Sequence, residues 1–290
     1  MVLFISDMDG TLLDSNAKVS KKSTEILNEL AEKGLNFTVA TARTPISALP
    51  ILKDVNITSP LILMNGALIY SPADKKFSDS VGFGRKCMES LARAEEVSSM
   101  EGMLFSLDNS KFYVHLGSVN NIMWDGYFDL NKLSHIEAVC KEIKKGSAKD
   151  LIHNNVVYAL YMDNKSEYIE KLYNELKDEK GLILDYYKDK YTENRWCLEI
   201  SSASTSKGEA VKKLRESLGA EKLIGFGDSW NDVPLFEGCD EGYAVENASD
   251  ELKKSATGII KSNTEDGVAL FIKEWFYKHK QEDNHGRDKI

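Results

Sequence analysis

A short apolar run at residues 2–5 leads directly into the acidic segment at residues 7–11, which contains Asp7, Asp9 and a glycine. This pattern predicts a buried strand that ends in a loop. In parallel α/β sheets, ligands bind outside the carboxyl ends of the strands. Two carboxylates held there repel each other, and Mg²⁺ is the cation that hard oxygen ligands favour. An Asp at such a place can also attack phosphorus, as in enzymes that form an aspartyl-phosphate.

Strand and helix patterns alternate on both sides of a long central stretch. An amphipathic helix that Ser20 can cap follows the first strand, and a second helix begins with the capping-box sequence at residues 206–209. Further apolar runs with the length of buried strands lie at residues 35–40, 60–64, 196–200 and 222–227. Strand, helix and strand in this order predict right-handed crossovers and a parallel sheet.

The central stretch, from about residue 83 to 195, has a different pattern of apolar and aromatic residues. Its aromatic-rich runs alternate in polarity at residues 111–115, 156–161 and 184–187, which is typical of antiparallel strands with one covered face. We therefore expect an α/β protein in which a Rossmann-like parallel-sheet core carries an inserted α+β domain. The expected limits are 1–82 and 196–278 for the core, 83–195 for the insert and 279–290 for a frayed polar tail.

Composition excludes several classes of partner. With a net charge of −9, the chain is a poor match for a nucleic-acid backbone or an anionic membrane surface. Apolar runs fall short of the roughly 20 residues that span a bilayer, and the first apolar stretch is too short for a signal peptide. The four cysteines lie far apart without a CxxC pair, which favours reduced thiols. These features together indicate a cytoplasmic protein.

Four segments at predicted strand or helix ends carry polar groups suited to one site. The first is the acidic segment at residues 7–11. In the second, at residues 41–43, a hydroxyl and free amides can hold a phosphate oxygen. Lys207 lies in the first turn of a helix, where the dipole disfavours a cation unless an anion is near. Residues 225–232 bring two more carboxylates and an amide within one turn of a strand. Each segment alone has an ordinary structural interpretation as a turn or a surface residue, and their combination does not.

In these segments the chain resembles the haloacid dehalogenase superfamily phosphatases. Residues 7–11, Thr41, Lys207 and residues 227–232 are similar to that family's four signature motifs. Residues 65–67 and the long insert are similar to the Cof-like subfamily, whose type IIB cap is a large α/β domain. The resemblance continues to about residue 277 and includes Asn247 and Ala248. Ala42 stands where relatives often have Gly, and Val245 and Glu246 stand where Met-Gly is common.

The resemblance implies a role for each matching residue. Asp7 would be the nucleophile, and Asp9 the general acid and then the base for water. Mg²⁺ would be bound by Asp7, the carbonyl of Asp9 and Asp228. The transferring phosphate would contact Met8, Thr41, Ala42, Lys207 and Asn231, with support from Asp232, Arg43 and Asn65. Positioning and charge neutralisation of this kind are the main requirements of phosphoryl transfer.

The sequence thus predicts a Mg²⁺-dependent phosphatase acting on small phosphorylated metabolites, with sugar phosphates favoured, under a lid formed by the insert. Two alternatives stay open: a phosphomutase, and a phosphometabolite-binding protein without activity. We expect a monomer or a weak dimer. Spacing does not tell which aromatic side chains of the insert would set specificity; the candidates are Tyr113, Trp124, Tyr161 and Tyr187.

Overall fold

The computed structural model describes residues 1–117, 139–189 and 194–287, and only the backbone of residues 139–142 and 281–287. The strands are, in chain order, β1 (Val2–Ser6), β2 (Asn36–Val39), β3 (Leu61–Leu63), β4 (Leu68–Ser71), β5 (Lys76–Ser80), β6 (Met103–Asp108), β7 (Lys111–Leu116), β8 (Val139–Lys145), β9 (Val156–Asp163), β10 (Leu182–Lys188), β11 (Trp196–Ser202), β12 (Lys222–Gly227), β13 (Glu241–Val245) and β14 (Gly258–Ile260). The helices are α1 (Lys21–Glu32), α2 (Pro45–Ile51), α3 (Arg85–Ser98), α4 (Ser166–Leu176), α5 (Lys207–Leu218), α6 (Val233–Gly238), α7 (Asp250–Ser255) and α8 (Gly267–Arg287).

The chain forms two compact units. The first consists of Met1–Gly66, Ser71–Ala73 and Ser206–Ile290, and the second of Ala67–Tyr70 and Asp74–Thr205. The first unit contains a parallel sheet in the order β14-β13-β12-β1-β2, which confirms the predicted parallel core. In its register, Ser6 pairs with Phe226 on one side and with Val39 on the other. The loops after β1, β2 and β12 therefore begin at the same edge of the sheet.

Two helices of the first unit, α1 and α5, begin where the sequence predicts. At α1, the Ser20 hydroxyl accepts a hydrogen bond from the Ser23 amide, and Ile26, Leu27 and Leu30 are buried. At α5, the Ser206 hydroxyl accepts from the Glu209 amide. The central strand β1 buries its apolar residues on both faces, as a parallel strand between helical layers must.

The second unit is built on a sheet in the order β10-β11-β9-β6-β7-β8. All of its neighbouring strands are antiparallel except β7 and β8, so the predicted antiparallel pairing is confirmed. The prediction of a single covered face is wrong for β9, which is buried from Val156 to Met162. Buried side chains of α3 and α4, including Met88, Leu91, Ile169 and Leu172, form one apolar cluster with side chains of the sheet such as Leu198. The aromatic and aliphatic spacing in α4 therefore serves core packing.

The structure corrects the predicted limits of the parts. Strand β11, expected in the core from residue 196, instead pairs antiparallel with β9 and β10 in the second unit. A short apolar run of this kind reads the same in either sheet, so the sequence pattern alone could not assign the strand to a sheet. The first transition lies near residue 66 rather than 82. The expected frayed tail is helical, because α8 continues through Arg287 and residues 288–290 lie outside the described part.

Two predictions from composition are answered within the described residues. Across the described ranges, no helix has both the length and the apolar character to cross a membrane. Cys87, Cys197 and Cys239 are free thiols, and the side chain of Cys140 lies outside the described residues, as does Trp124.

Candidate active site

Asp7 lies directly after β1, at the edge where parallel strands end. Its amide donates to the Phe226 carbonyl of the neighbouring strand at 2.9 Å, so the backbone position is fixed by the sheet. The side chain is 9% exposed. Asp7 therefore presents a buried carboxylate at a rigid position, as a nucleophile requires.

Asp9 lies in a tight turn that requires a glycine. Asp9 (φ −74°, ψ 121°) and Gly10 (φ 78°, ψ −5°) have the backbone angles of the two central residues of a type II turn. A side chain at Gly10 would also overlap the carboxylate of Asp228. Glycine is thus needed here both for the positive φ and for the close approach of a second acidic loop.

Lys207 binds the two most buried carboxylates of the site. Its Nζ lies 2.6 Å from Oδ1 of Asp7 and 2.6 Å from Oδ1 of Asp232. The lysine side chain is 2% exposed and that of Asp232 is fully buried. Burial alone would lower the pKa of Lys207, but Asp7 and Asp232 outweigh it and hold the pKa above its usual value. The lysine at this helix start is therefore a permanent buried cation with two anionic partners.

Asp232 also shapes the loop after β12. Its Oδ2 accepts hydrogen bonds from the amides of Asp228 at 3.1 Å and Ser229 at 3.3 Å. Because both of its oxygens have donors, Asp232 is a connector between Lys207 and the backbone that positions Asp228.

Carboxylate oxygens of Asp7, Asp228 and Asp232 lie within 4.8 Å of one another. Oδ1 of Asp228 accepts a 3.3 Å hydrogen bond from the Thr11 hydroxyl. Burial, and then the charge of Asp232, raises the pKa of Asp228 to about 6. Burial also raises the pKa of Asp7, against the effect of Lys207 and with that of Asp232. Such crowding of carboxylates around one ammonium favours a bound cation.

The Asp9 carboxylate points to a different partner. Arg43, in the loop after β2, donates from Nε and from Nη2 to its two oxygens, each at 2.6 Å. The Asp9 side chain is 54% exposed, whereas that of Arg43 is 24% exposed. A two-bond guanidinium contact fixes the plane and direction of a carboxylate, so Arg43 orients Asp9.

The remaining residues predicted to contact phosphate lie near the carboxyl edge of the parallel sheet and differ in burial and in hydrogen-bond partners. Thr41 is buried, and its hydroxyl accepts from the Arg43 amide at 3.1 Å. Its carbonyl accepts from the amide of Asn65, which has a positive φ of 53°. Ala42 is exposed, whereas Met8 has a buried side chain and offers its backbone only. The Asn231 side chain is exposed, and its Oδ1 accepts from the Ser229 hydroxyl at 2.7 Å.

Sequence reasoning missed three connections. Thr11 contacts Asp228, and Ser229 and Asp232 form a reciprocal capping box at Trp230–Asp232. Asn247, noted only through the resemblance, donates to the Gly10 carbonyl at 2.7 Å. The strand-end rule could have found Asn247, because it follows β13 at the same edge of the sheet.

The donor set fits a hard divalent cation. Asp7 and Asp228 are close, partly desolvated oxygen ligands, while the hydrogen bonds of Asp232 leave it less free to bind. The side chain of Asp9 is held by Arg43, so any contribution of Asp9 would come from its backbone carbonyl.

Comparisons with known proteins agree with this geometry. A sequence model of the haloacid dehalogenase-like hydrolases matches residues 4–272. The chain is 28% identical over 289 residues to the 5-amino-6-(5-phospho-D-ribitylamino)uracil phosphatase YwtE of Bacillus subtilis, covering 92% of this chain and 95% of that protein. It is 25% identical to the phosphatase YwpJ of the same organism, covering 94% of this chain and 99% of that protein.

Solved structures share the fold. A haloacid dehalogenase-like hydrolase from Bacteroides thetaiotaomicron aligns with a TM-score of 0.69 at 20% identity, over 94% of this chain and 98% of that one. The subclass IIB sugar phosphatase BT4131 aligns with a TM-score of 0.67 at 17% identity, over 95% of this chain and 99% of that one. With the family match across nearly the whole sequence and phosphatases among its relatives, this chain belongs to the haloacid dehalogenase-like hydrolases and is a phosphatase.

Proposed function

We propose that this protein is a Mg²⁺-dependent phosphatase that hydrolyses small phosphorylated metabolites through an aspartyl-phosphate on Asp7. The observation that carries the proposal is the buried contact of Asp7 with Lys207 at 2.6 Å, inside a group of three carboxylates. An ammonium at this place opposes the effect of burial on the pKa of Asp7 and orients its carboxylate. It also neutralises charge on a phosphoryl group that arrives beside it.

Asp7, Asp228 and the carbonyl of Asp9 would hold the cation. When bound, Mg²⁺ supplies positive charge to the transferring phosphoryl oxygens. The proximity of Asp7 and Asp228 supports this assignment, and burial raises the pKa of both carboxylates, which makes their ionised forms costly without a cation.

The chemistry divides into two steps. A carboxylate oxygen of Asp7 forms a bond to phosphorus while the bond from phosphorus to the ester oxygen breaks, and Asp9 gives that oxygen its proton. Water then attacks the phosphorus of the aspartyl-phosphate and loses a proton to Asp9, while the bond from phosphorus to the Asp7 oxygen breaks. Inorganic phosphate is released, and both residues return to their starting states. Arg43 holds both oxygens of the Asp9 carboxylate, so at least one of them must leave the guanidinium before Asp9 can carry the proton that it gives to the ester oxygen.

We further propose that the second unit serves as the cap that selects the substrate, and that the substrate carries its phosphate on a sugar or sugar-alcohol chain. Support comes from the named activity of YwtE, which acts on a phosphorylated ribitylamino compound. Among the aromatic candidates for specificity, Tyr161 is fully buried against Glu95 and is excluded, whereas Tyr187 is 41% exposed and stays a candidate.

The test is release of inorganic phosphate from a panel of sugar phosphates, nucleotides and cofactor phosphates, with Mg²⁺ and with excess chelator. We expect turnover with Mg²⁺, loss on chelation and loss in Asp7→Asn. Asp54→Asn, an exposed aspartate of the same unit, serves as the matched control. Full turnover in chelator would contradict the metal assignment. Isomerisation of a sugar phosphate without phosphate release would identify a mutase instead.

A further inference from the structure

Two asparagines donate hydrogen bonds to backbone carbonyls of the segment that carries Asp9. Nδ2 of Asn247 donates to the Gly10 carbonyl at 2.7 Å, and Nδ2 of Asn263 donates to the Leu13 carbonyl at 2.8 Å. The backbone amide of Asn263 in turn donates to Oδ1 of Asn247 at 3.0 Å. The three hydrogen bonds form a continuous chain along one side of the turn.

The asparagines come from loops that follow β13 and β14, at the sheet edge that also carries Asp7. The loop of Asn247 reaches the second acidic segment as well, because the Ser249 amide donates to the Asp228 carbonyl at 2.8 Å. One loop outside the four family motifs thus connects the backbones of both acidic segments.

The Gly10 carbonyl is the sensitive point of this turn. Glycine has many accessible backbone conformations, of which the type II turn uses one. The directions of its peptide groups depend on which conformation it adopts. A donor on the Gly10 carbonyl restricts the Gly10–Thr11 peptide, and with it the conformation of the glycine that follows Asp9. Arg43 binds the Asp9 carboxylate, so Asp9 is held through its side chain and through the turn that it shares with Gly10.

We propose that Asn247 is a positioning residue for proton transfer by Asp9, and that Asn263 holds Asn247 in place. This inference rests on the general-acid role proposed above for Asp9. Asn247 acts through the turn and touches no reacting atom. Its loss would misplace the acid without removing the nucleophile Asp7, whose position is set by the sheet.

The experiment compares kcat/KM of Asn247→Ala on two phosphate esters, an alkyl ester and p-nitrophenyl phosphate. An alkyl oxygen needs a proton to leave, whereas nitrophenolate does not. We expect kcat/KM to fall roughly 10–100-fold on the alkyl ester, as small misplacements of a catalytic group do, and much less on the nitrophenyl ester. Asn263→Ala should show the same selectivity with a smaller loss.

Asn28→Ala is the matched control. Asn28 makes the same pair of contacts away from the site, with Nδ2 donating to the Asp54 carbonyl at 2.9 Å and Oδ1 accepting from the Asn56 amide at 2.7 Å. We expect its ratio between the two esters to equal that of the parent protein. Equal losses on both esters in Asn247→Ala, or no loss, would overturn the inference.

Asp9→Asn separates this failure from failure of the proposed function. If Asp9→Asn changes the ratio of the two esters and Asn247→Ala does not, the acid is correctly assigned and Asn247 does not position it. If Asp9→Asn leaves the ratio unchanged, the general-acid role itself is wrong, and the inference falls with it.

Discussion

Lys207 is the residue on which the charge balance of the site depends. Its ammonium is enclosed and contacts Asp7 and Asp232, each at 2.6 Å. A buried pair that loses one partner leaves an uncompensated charge, which costs about 3–5 kcal/mol. Lys207 thus links the stability of the first unit to its chemistry.

Lys207→Met should therefore lower the free energy of unfolding by about 3–5 kcal/mol and abolish phosphate release. Urea unfolding and a phosphate assay measure the two effects. Lys212→Met is the control, since Lys212 lies on the same helix and pairs with Glu209 on the surface. If the two variants were equally stable and active, Lys207 would be no more than a helix residue.

At the scale of elements, the turn after β1 tests whether backbone geometry sets the site. Gly10 and Gly34 both have positive φ, 78° and 91°. A Cβ at Gly10 would overlap Asp228, whereas one at Gly34 would meet nothing within 4 Å. Substitution by alanine would therefore strain the backbone at both positions. Only the substitution at Gly10 would also displace a carboxylate.

Gly10→Ala and Gly34→Ala should each lose about 1–2 kcal/mol of stability from the left-handed backbone. Only Gly10→Ala should also lose turnover, because Asp228 must move. Thermal unfolding and kcat measured on both proteins check this. Equal activity of the two variants would mean that the site tolerates displacement of Asp228.

The elements also mark where sequence reasoning succeeds and where it stops. The strand before Asp7 and the strand before Asp228 are predictable, because a short apolar run followed by acidic residues indicates a buried strand end. The sheet that β11 joins is not predictable, because a short apolar run does not encode which strand it pairs with. Candidate site residues follow from strand ends, but pairings such as Asp9 with Arg43 depend on side-chain directions.

At the scale of the whole molecule, the two units differ in what their buried charges do. The first unit uses them at the candidate site. In the second unit, Glu95 is buried and accepts hydrogen bonds from the Tyr161 hydroxyl and the Ala148 amide, each at 2.7 Å. Burial raises the pKa of Glu95 from 4.5 to about 7, opposed by its hydrogen bonds with Tyr161 and the Ala148 amide and aided by the charge of Glu101.

This shift predicts a pH dependence of stability. A carboxyl whose folded-state pKa is raised binds its proton more tightly when folded, so stability falls as the pH rises from about 4.5 to about 7. At higher pH the full cost of ionising Glu95 is present, roughly 3 kcal/mol. Urea unfolding of Glu95→Gln at pH 5 and pH 8 should show a smaller pH dependence than the parent protein.

Glu96→Gln, on the exposed neighbour of Glu95, is the control and should keep the parent pH dependence. If Glu95→Gln also kept the pH dependence of the parent protein, the buried carboxyl of Glu95 would not be the group that titrates. The measurement concerns folding and leaves the chemistry of the first unit untouched.

The residue that takes the phosphoryl group is identified most directly by trapping it. Asp9→Asn keeps the nucleophile and lacks the base for water, so a phosphorylated enzyme should accumulate when it turns over p-nitrophenyl phosphate with Mg²⁺. Acid quenching, proteolysis and mass spectrometry should place the phosphoryl group on Asp7, and Asp7→Asn should carry none. A phosphoryl group on any other residue, or wild-type turnover by Asp7→Asn, would contradict catalysis through Asp7.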